Sequence, residues 1–270
     1  MANQLRAALY ALVRNYRTWV ALALVVLGKA YAAWSVTQGV TYGLQDSLFR
    51  DKALLLVVLF AGAGVAAFDQ RGGALRSACC TERGRAGYVA SRFVAAAALA
   101  LGLLAAAAVL DVIAGALVPG ASVIAASPAM CAPERVLAGV LTYLTVAEVG
   151  FVAGLVTRSQ SAIAATGLVV VAFLVLCVLV LIVVPEGSPT PFGVTLSEAI
   201  GLALPLEGLK ADVAFAMVAR LMPLDPLRAF VVPLVWAAAL LALARSAMAR
   251  RTVCRGKGTV PFPRSGASES

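Results

Sequence analysis

Six long apolar runs constrain this chain more than any other feature of its sequence. They cover residues 19–40, 53–68, 93–118, 136–156, 162–184 and 229–244. A helix that crosses a bilayer needs roughly 20 apolar residues, and the short run 53–68 approaches that length if its helix extends toward Lys52 and Gln70. With 62% hydrophobic residues, the chain is too apolar for a soluble domain. The sequence therefore predicts an all-α, polytopic membrane protein with six transmembrane helices.

The runs and their connections leave no room for a soluble catalytic domain. We expect a single transmembrane domain over residues 1–250, followed by a basic, flexible cytoplasmic tail at 251–270. Histidine is absent, which excludes imidazole metal sites, Ser-His catalysis and a histidine pH switch. The five cysteines show no C-x-x-C spacing. The sequence therefore predicts no cofactor and no catalytic residue of its own.

The distribution of positive charge sets the expected orientation. The net charge is +9, which in a soluble protein would indicate nucleic acid as a partner, but here the cations cluster between the spans. With both termini inside, fifteen cations lie on the cytoplasmic side and six outside. The positive-inside rule thus predicts an N-in, C-in, multi-pass protein of the cell membrane. The basic tail is interpreted as a topology determinant, with a binding segment as the alternative.

Residues 2–17 show the pattern of an amphipathic helix lying at the membrane surface. One face carries an apolar stripe, made of Leu5, Leu9, Leu12, Val13 and Tyr16. Another carries cations suited to anionic lipid headgroups, Arg6, Arg14 and Arg17. A cleaved signal peptide is the competing interpretation, since Ala30, Tyr31 and Ala32 resemble a small-x-small site, but Lys29 inside the apolar run argues against it.

The outer segment at 185–228 is too long for a simple connector. Thr195 and Glu198 have the spacing of a capping box and predict a short helix, and an apolar stripe predicts a second helix over residues 206–221. Two such helices could rest on or re-enter the outer leaflet, or form a small external cap. The sequence does not separate these alternatives.

Three ionisable residues fall inside the predicted spans: Lys29, Asp111 and Glu148. At 1.5 Å per residue, Lys29 and Glu148 both lie near mid-membrane, whereas Asp111 lies about 27 Å along the third span and near the outer headgroups. Depth therefore predicts a Lys29–Glu148 ion pair, which is either structural or part of a translocation path. Gly150 and Gly154, four residues apart, predict a close approach of another helix.

The polar segment at 68–93 separates two apolar runs and is strongly basic. It holds five arginines, Arg71, Arg76, Arg83, Arg85 and Arg92, so it must lie on the solvent side. Residues 74–83 can form a short helix, bracketed by glycines that would allow sharp turns, Gly72, Gly73, Gly84 and Gly87. The alternative is a loop whose charges only set the topology.

These features together resemble the permease subunit of type-2 ABC exporters. The resemblance rests on the basic N-terminal helix, the six spans, the short inner loop at 157–160, the long outer segment and the motif residues Asp69, Gly73-Ala74-Leu75, Arg83-Gly84-Arg85 and Arg92. It implies a homodimer or heterodimer that binds a cytoplasmic ABC ATPase, with ATP held by that partner, since no P-loop occurs here. It also implies that residues of the 68–93 segment couple to the ATPase: Asp69, Leu75, Arg76, Cys79, Arg83 and Arg85.

Other classes remain possible at the level of sequence. An ATP-independent secondary transporter or channel would use Lys29 and Glu148 as coupling or filter residues. An intramembrane enzyme is the weakest alternative, because histidine is absent and the carboxylates are not paired on one helix. A structural or immunity-type membrane protein is a further alternative. Membrane lipids are expected partners in every case, and nucleic acid in none.

Overall fold

The chain folds into helices throughout the part that the structure describes. The computed structural model describes residues 2–38, 52–71, 82–119, 121, 132–158, 161–183 and 226–250, and within these residues it contains seven helices and no strand. They are α1 (Ala2–Arg14), α2 (Tyr16–Thr37), α3 (Lys52–Arg71), α4 (Glu82–Leu117), α5 (Pro133–Val156), α6 (Ala162–Val183) and α7 (Pro226–Ala249). The all-α prediction is confirmed for this part of the chain.

Five of these helices are long and apolar enough to cross a bilayer. The qualifying stretches are Tyr16–Thr37, Ala53–Gln70, Gly84–Leu117, Val136–Val156 and Ala229–Ala249. The fifth predicted span, 162–184, coincides with α6, which has 22 residues and whose first half, Ala162–Ala172, is apolar. The chain is therefore a multi-pass membrane protein in character, and a crossing by α6 stays a prediction. The predicted helix that starts at the Thr195–Glu198 capping box, the predicted helix at 206–221 and the tail at 251–270 lie outside the described residues.

Helix α4 begins eleven residues earlier than the predicted third span. Its 36 residues extend about 54 Å at 1.5 Å per residue, whereas the hydrocarbon core is about 30 Å thick. Gly84 and Gly87 lie inside this helix, so the turn predicted there is wrong. Gly87 has a packing role instead, because a Cβ at this position would collide with the side chain of Gln4 on α1.

Helix α5 lies at the centre of the bundle and packs against α3, α4, α6 and α7. Its closest approach is to α3, and small residues permit it. A Cβ at Gly62 would overlap the carbonyl oxygen of Ala147, and a Cβ at Gly150 would overlap that of Leu59. Gly154 similarly faces Ala66 and the backbone of α3. The close helix approach predicted from the spacing of Gly150 and Gly154 is confirmed.

Helix α1 packs on α4 through only part of its apolar surface. Ala8 and Leu12 are buried in the core, whereas Leu9 and Val13 are exposed. The helix ends at Arg14, three residues before the predicted end, because Asn15 caps α2 by accepting a hydrogen bond from the backbone N–H of Arg17 at 3.1 Å. The exposed apolar half of α1 is suited to the membrane surface, as the sequence predicts.

Candidate functional site

A buried polar cluster joins the end of α3 to the beginning of α4. The Asp69 carboxylate accepts two hydrogen bonds from the Arg92 guanidinium, from Nη2 to Oδ1 and from Nε to Oδ2, each at 2.7 Å. It also accepts a hydrogen bond from the hydroxyl of Tyr88 at 2.8 Å. We refer to Asp69, Tyr88 and Arg92 as the clamp. Two parallel bonds between a planar guanidinium and a carboxylate fix both position and orientation.

The helical spacing of the clamp explains why one carboxylate holds two side chains of α4. Tyr88 and Arg92 are four residues apart and therefore lie on the same face of the helix. The guanidinium carbon of Arg92 lies 5.7 Å from the centre of the Tyr88 ring, within the range of a cation–π interaction. Asp69 is 1% exposed and Arg92 9% exposed, so their charges are stable only as a pair.

The clamp joins the two ends of the basic segment at 68–93. Asp69 lies near the beginning of this segment, and Tyr88 and Arg92 lie near its end, so the clamp holds its two ends together at one point. A displacement of the segment must therefore move the ends of α3 and α4 together, unless the ion pair breaks. The clamp thus connects α3 and α4 directly at the two ends of this segment.

Further bonds tie other helices to the same end of the bundle. The side-chain amide of Gln70 donates to the carbonyl oxygen of Gly154 on α5 at 2.8 Å. Arg85 donates to the carbonyl oxygen of Ala249, the last residue of α7, at 3.5 Å. Together with the contact of α1 at Gly87, these bonds gather the ends of five helices around the clamp.

The predicted coupling residues fall in different places. Asp69 is buried in the clamp and does not face solvent, and Arg85 contacts the end of α7. Leu75, Arg76 and Cys79 lie outside the described residues. Arg83 begins α4 together with Glu82, but its side chain lies outside the described part of the chain.

The predicted ion pair between Lys29 and Glu148 is wrong. The structure places Lys29 Nζ 3.7 Å from Oδ1 of Asp111, and both side chains are buried. This pair joins α2 to α4, at the end of the bundle opposite the clamp. Glu148 is also buried, at 6% exposed, but it lies on α5 and takes no part in this contact.

The error arises from an offset between α2 and α4. The side chains of Asn15 and Arg17 both donate to the carbonyl oxygen of Gly64, at 3.3 and 3.5 Å. Helix α2 therefore begins beside Gly64, five residues and about 7.5 Å further into the bundle than Asp69. Lys29 lies about 18 Å beyond Arg17 along α2, so it lies about 25 Å from the level of the clamp. Asp111 lies roughly 28 Å beyond Arg92 along α4, which brings the two side chains to nearly the same depth. The predicted pairing assumes that all the helices begin at the same depth, which the structure does not show.

Three important residues were missed or misassigned from the sequence. Arg17 was placed at the headgroups, yet it is 3% exposed and lies against Gly64. Asn15 was not singled out, although asparagine is a favoured N-cap and its position between two helical patterns was a usable signal. Tyr88 was also not singled out, although its four-residue spacing from Arg92 places both side chains on one face of a helix and was a usable signal. Their partner Asp69, however, is a tertiary contact that no local pattern specifies.

A double-mutant cycle checks the revised pairing. Lys29→Met and Asp111→Asn should each destabilise the protein, and their combination should do so by less than the sum, with a coupling energy of about 0.5 to 3 kcal/mol. Lys29→Met combined with Glu148→Gln should be additive within about 0.5 kcal/mol. The measurement is the free energy of unfolding in mixed micelles. Coupling to Glu148 without coupling to Asp111 would contradict the structure.

The fold and its polar contacts define an all-helical, multi-pass membrane protein whose helix ends are joined by a buried ion pair. Compared with models of known protein families and with curated proteins, the sequence matches none of them. Its function must therefore be argued from its own residues.

Proposed function

We propose that this chain is the membrane-spanning permease subunit of an ATP-driven exporter of the type-2 ABC kind. In this proposal α6 also crosses the membrane, which brings the number of crossings to six. Both termini are cytoplasmic, and a separate ABC ATPase hydrolyses ATP. The observation that carries the proposal is the clamp, because Asp69, Tyr88 and Arg92 fix both ends of a basic segment to two membrane helices. A segment held in this way is suited to receive a push from a partner.

The length of α4 supports the same role. About 16 of its 36 residues exceed what a 30 Å hydrocarbon core requires. Its first two turns carry Arg85 and the clamp residue Tyr88, and they are braced by α1 and by the end of α7. A braced helix that extends beyond the membrane acts as a lever, since movement of its N-terminal end is passed along its whole length.

The proposed mechanism follows from these connections. ATP-driven closure of two ATPases pushes on the segment around residues 74–83, and the clamp passes that displacement to α3 and α4. Movement of α4 changes its contact with α2 at Asp111 and Lys29, at the far end of the bundle. A path between two permease subunits, identical or related, then opens outward.

An ATP-independent transporter or channel is the second candidate, and one observation favours it. Glu148 is a buried carboxyl group on the central helix, as expected of a residue that carries a coupling ion. Its proposed partner Lys29 is engaged by Asp111 instead, which removes the pair on which that candidate depended. The presence or absence of an ATPase partner separates the two candidates.

Affinity purification tests the proposed function. The tagged chain, extracted in mild detergent, should recover an ABC ATPase, and the charge reversal Arg76→Glu with Arg83→Glu should lower that recovery at least tenfold. The matched control is Arg245→Glu with Arg250→Glu, which makes the same change of charge at exposed positions in and directly after α7 and should leave recovery unchanged. Recovery of no ATPase by the wild type, or equal loss in both variants, contradicts the proposal.

A further inference from the structure

Glu148 is a buried carboxyl group that belongs neither to the clamp nor to the Lys29–Asp111 pair. It is 6% exposed, and its Oε2 atom is fully buried without a hydrogen-bond partner among the described residues. It lies on α5, which packs against four other helices. An ionised carboxylate in an apolar interior is strongly disfavoured unless a cation or several donors compensate it.

The neighbouring side chains on α5 do not supply a donor. Thr142 and Thr145 precede Glu148 at three-residue intervals, so each is next to the following one on the helix surface. The hydroxyl of Thr142 donates to the carbonyl oxygen of Ala138 at 3.0 Å, and that of Thr145 donates to Leu141 at 2.9 Å. A threonine hydroxyl has a single proton. The side chains of this stripe, Thr142, Thr145 and Glu148, therefore offer only acceptors.

The charged and titratable groups on the surrounding helices are engaged elsewhere or exposed, as far as the structure describes them. On α3 and α4, the clamp uses Asp69, Tyr88 and Arg92, Arg85 reaches Ala249, and Asp111 pairs with Lys29. Arg245 on α7 and Arg250 directly after it are exposed, and Ala162–Ala172 of α6 contains no ionisable residue. On α5 itself, Glu134 is exposed and Tyr143 points about 140° away from Glu148, at 100° per residue.

We propose that Glu148 is a proton-binding site inside the bundle and that it carries a proton at neutral pH. The proton comes from water and converts the carboxylate to a neutral carboxylic acid. The new O–H group supplies the donor that the stripe lacks, and the hydroxyl oxygen of Thr145, one turn away, can accept it. A metal ion fits less well, because a hard cation such as Ca²⁺ takes six to eight oxygen ligands and this stripe provides only one carboxyl group and two hydroxyls.

Infrared spectroscopy of the purified protein in detergent at neutral pH tests this proposal independently of the permease function. The wild type should show the carbonyl stretching band of a protonated carboxylic acid. That band should disappear in Glu148→Gln and persist in Asp111→Asn, which removes the carboxylate paired with Lys29. A wild-type spectrum without the band, or an unchanged band in Glu148→Gln, would overturn the proposal. Loss of the wild-type band on adding sodium chloride would also overturn it, because the occupant would then be a metal cation.

Thermal unfolding provides a second measurement on the same variants. The glutamine amide has the shape of the protonated acid and also supplies a donor, so Glu148→Gln should melt within a few degrees of the wild type. A variant that fails to fold, or that melts far below the wild type, would show that the ionised carboxylate is the form required, and would contradict the proposal.

Discussion

Replacing Asp69 by alanine is expected to lower the free energy of unfolding by about 3 to 5 kcal/mol. The substitution leaves the Arg92 guanidinium buried without its counter-charge, and it also removes the acceptor of the Tyr88 hydroxyl. Arg92→Ala should lower the free energy of unfolding by a similar amount, because it leaves the Asp69 carboxylate buried without its counter-charge. Titration with sodium dodecyl sulfate in mixed micelles, followed by circular dichroism, measures the loss.

Two further variants distinguish a buried charge pair from a surface contact. Asp69→Leu combined with Arg92→Met removes both charges and should recover most of the lost stability, since apolar replacement of a buried pair is often neutral or better. Tyr88→Phe removes one hydrogen bond to a charged group and should cost only about 1.5 to 3 kcal/mol. If the double variant loses as much free energy of unfolding as the two single alanine variants combined, Asp69 and Arg92 do not stabilise the fold as a buried charge pair.

Adding a methyl group to the α3–α5 interface should destabilise the bundle even though alanine favours helices. Gly62→Ala and Gly150→Ala each place a Cβ against backbone atoms of the facing helix, which cannot move as a flexible side chain can. Overpacking of this kind costs about 1 to 3 kcal/mol. The free energy of unfolding of each variant, measured in mixed micelles, should fall accordingly.

The chain provides its own controls for this test. Gly102 on α4 and Gly167 on α6 have no atom within 4 Å of the position that a Cβ would occupy. Alanine at these sites should be neutral or should stabilise by up to about 1 kcal/mol through its helix propensity. Equal responses at the interface and control glycines would show that α3 and α5 do not approach as closely as the structure indicates.

The all-α fold was predictable because the hydrocarbon core of a bilayer permits few kinds of secondary structure. Apolar runs of about 20 residues must be helical in a bilayer, where every backbone polar group has to be bonded within the chain. The same reasoning located Gly150 and Gly154 as a contact surface, since only small residues allow helices to approach closely. These conclusions depend on composition and local spacing, which a single sequence contains.

The contacts between helices were not predictable in the same way. The sequence placed Lys29 with Glu148 because it could not reveal that α2 begins beside Gly64, about 7.5 Å from the level of Asp69. It treated Asp69 as part of a surface segment because local pattern does not show that Tyr88 and Arg92 return to it after a gap of about 20 residues. Register between helices is set by tertiary packing, and one sequence does not encode it locally.

Site-specific photo-cross-linking tests the central claim most directly. A photoreactive amino acid in place of Arg76, inside the basic segment, should cross-link in intact cells to an ATP-binding subunit that mass spectrometry identifies as an ABC ATPase. The same group in place of Leu117, which is 75% exposed at the far end of α4, should give no such adduct. An ATPase adduct at position 76 alone is the result that the proposed function predicts. No ATPase adduct at position 76, or the same adduct at both positions, would contradict it.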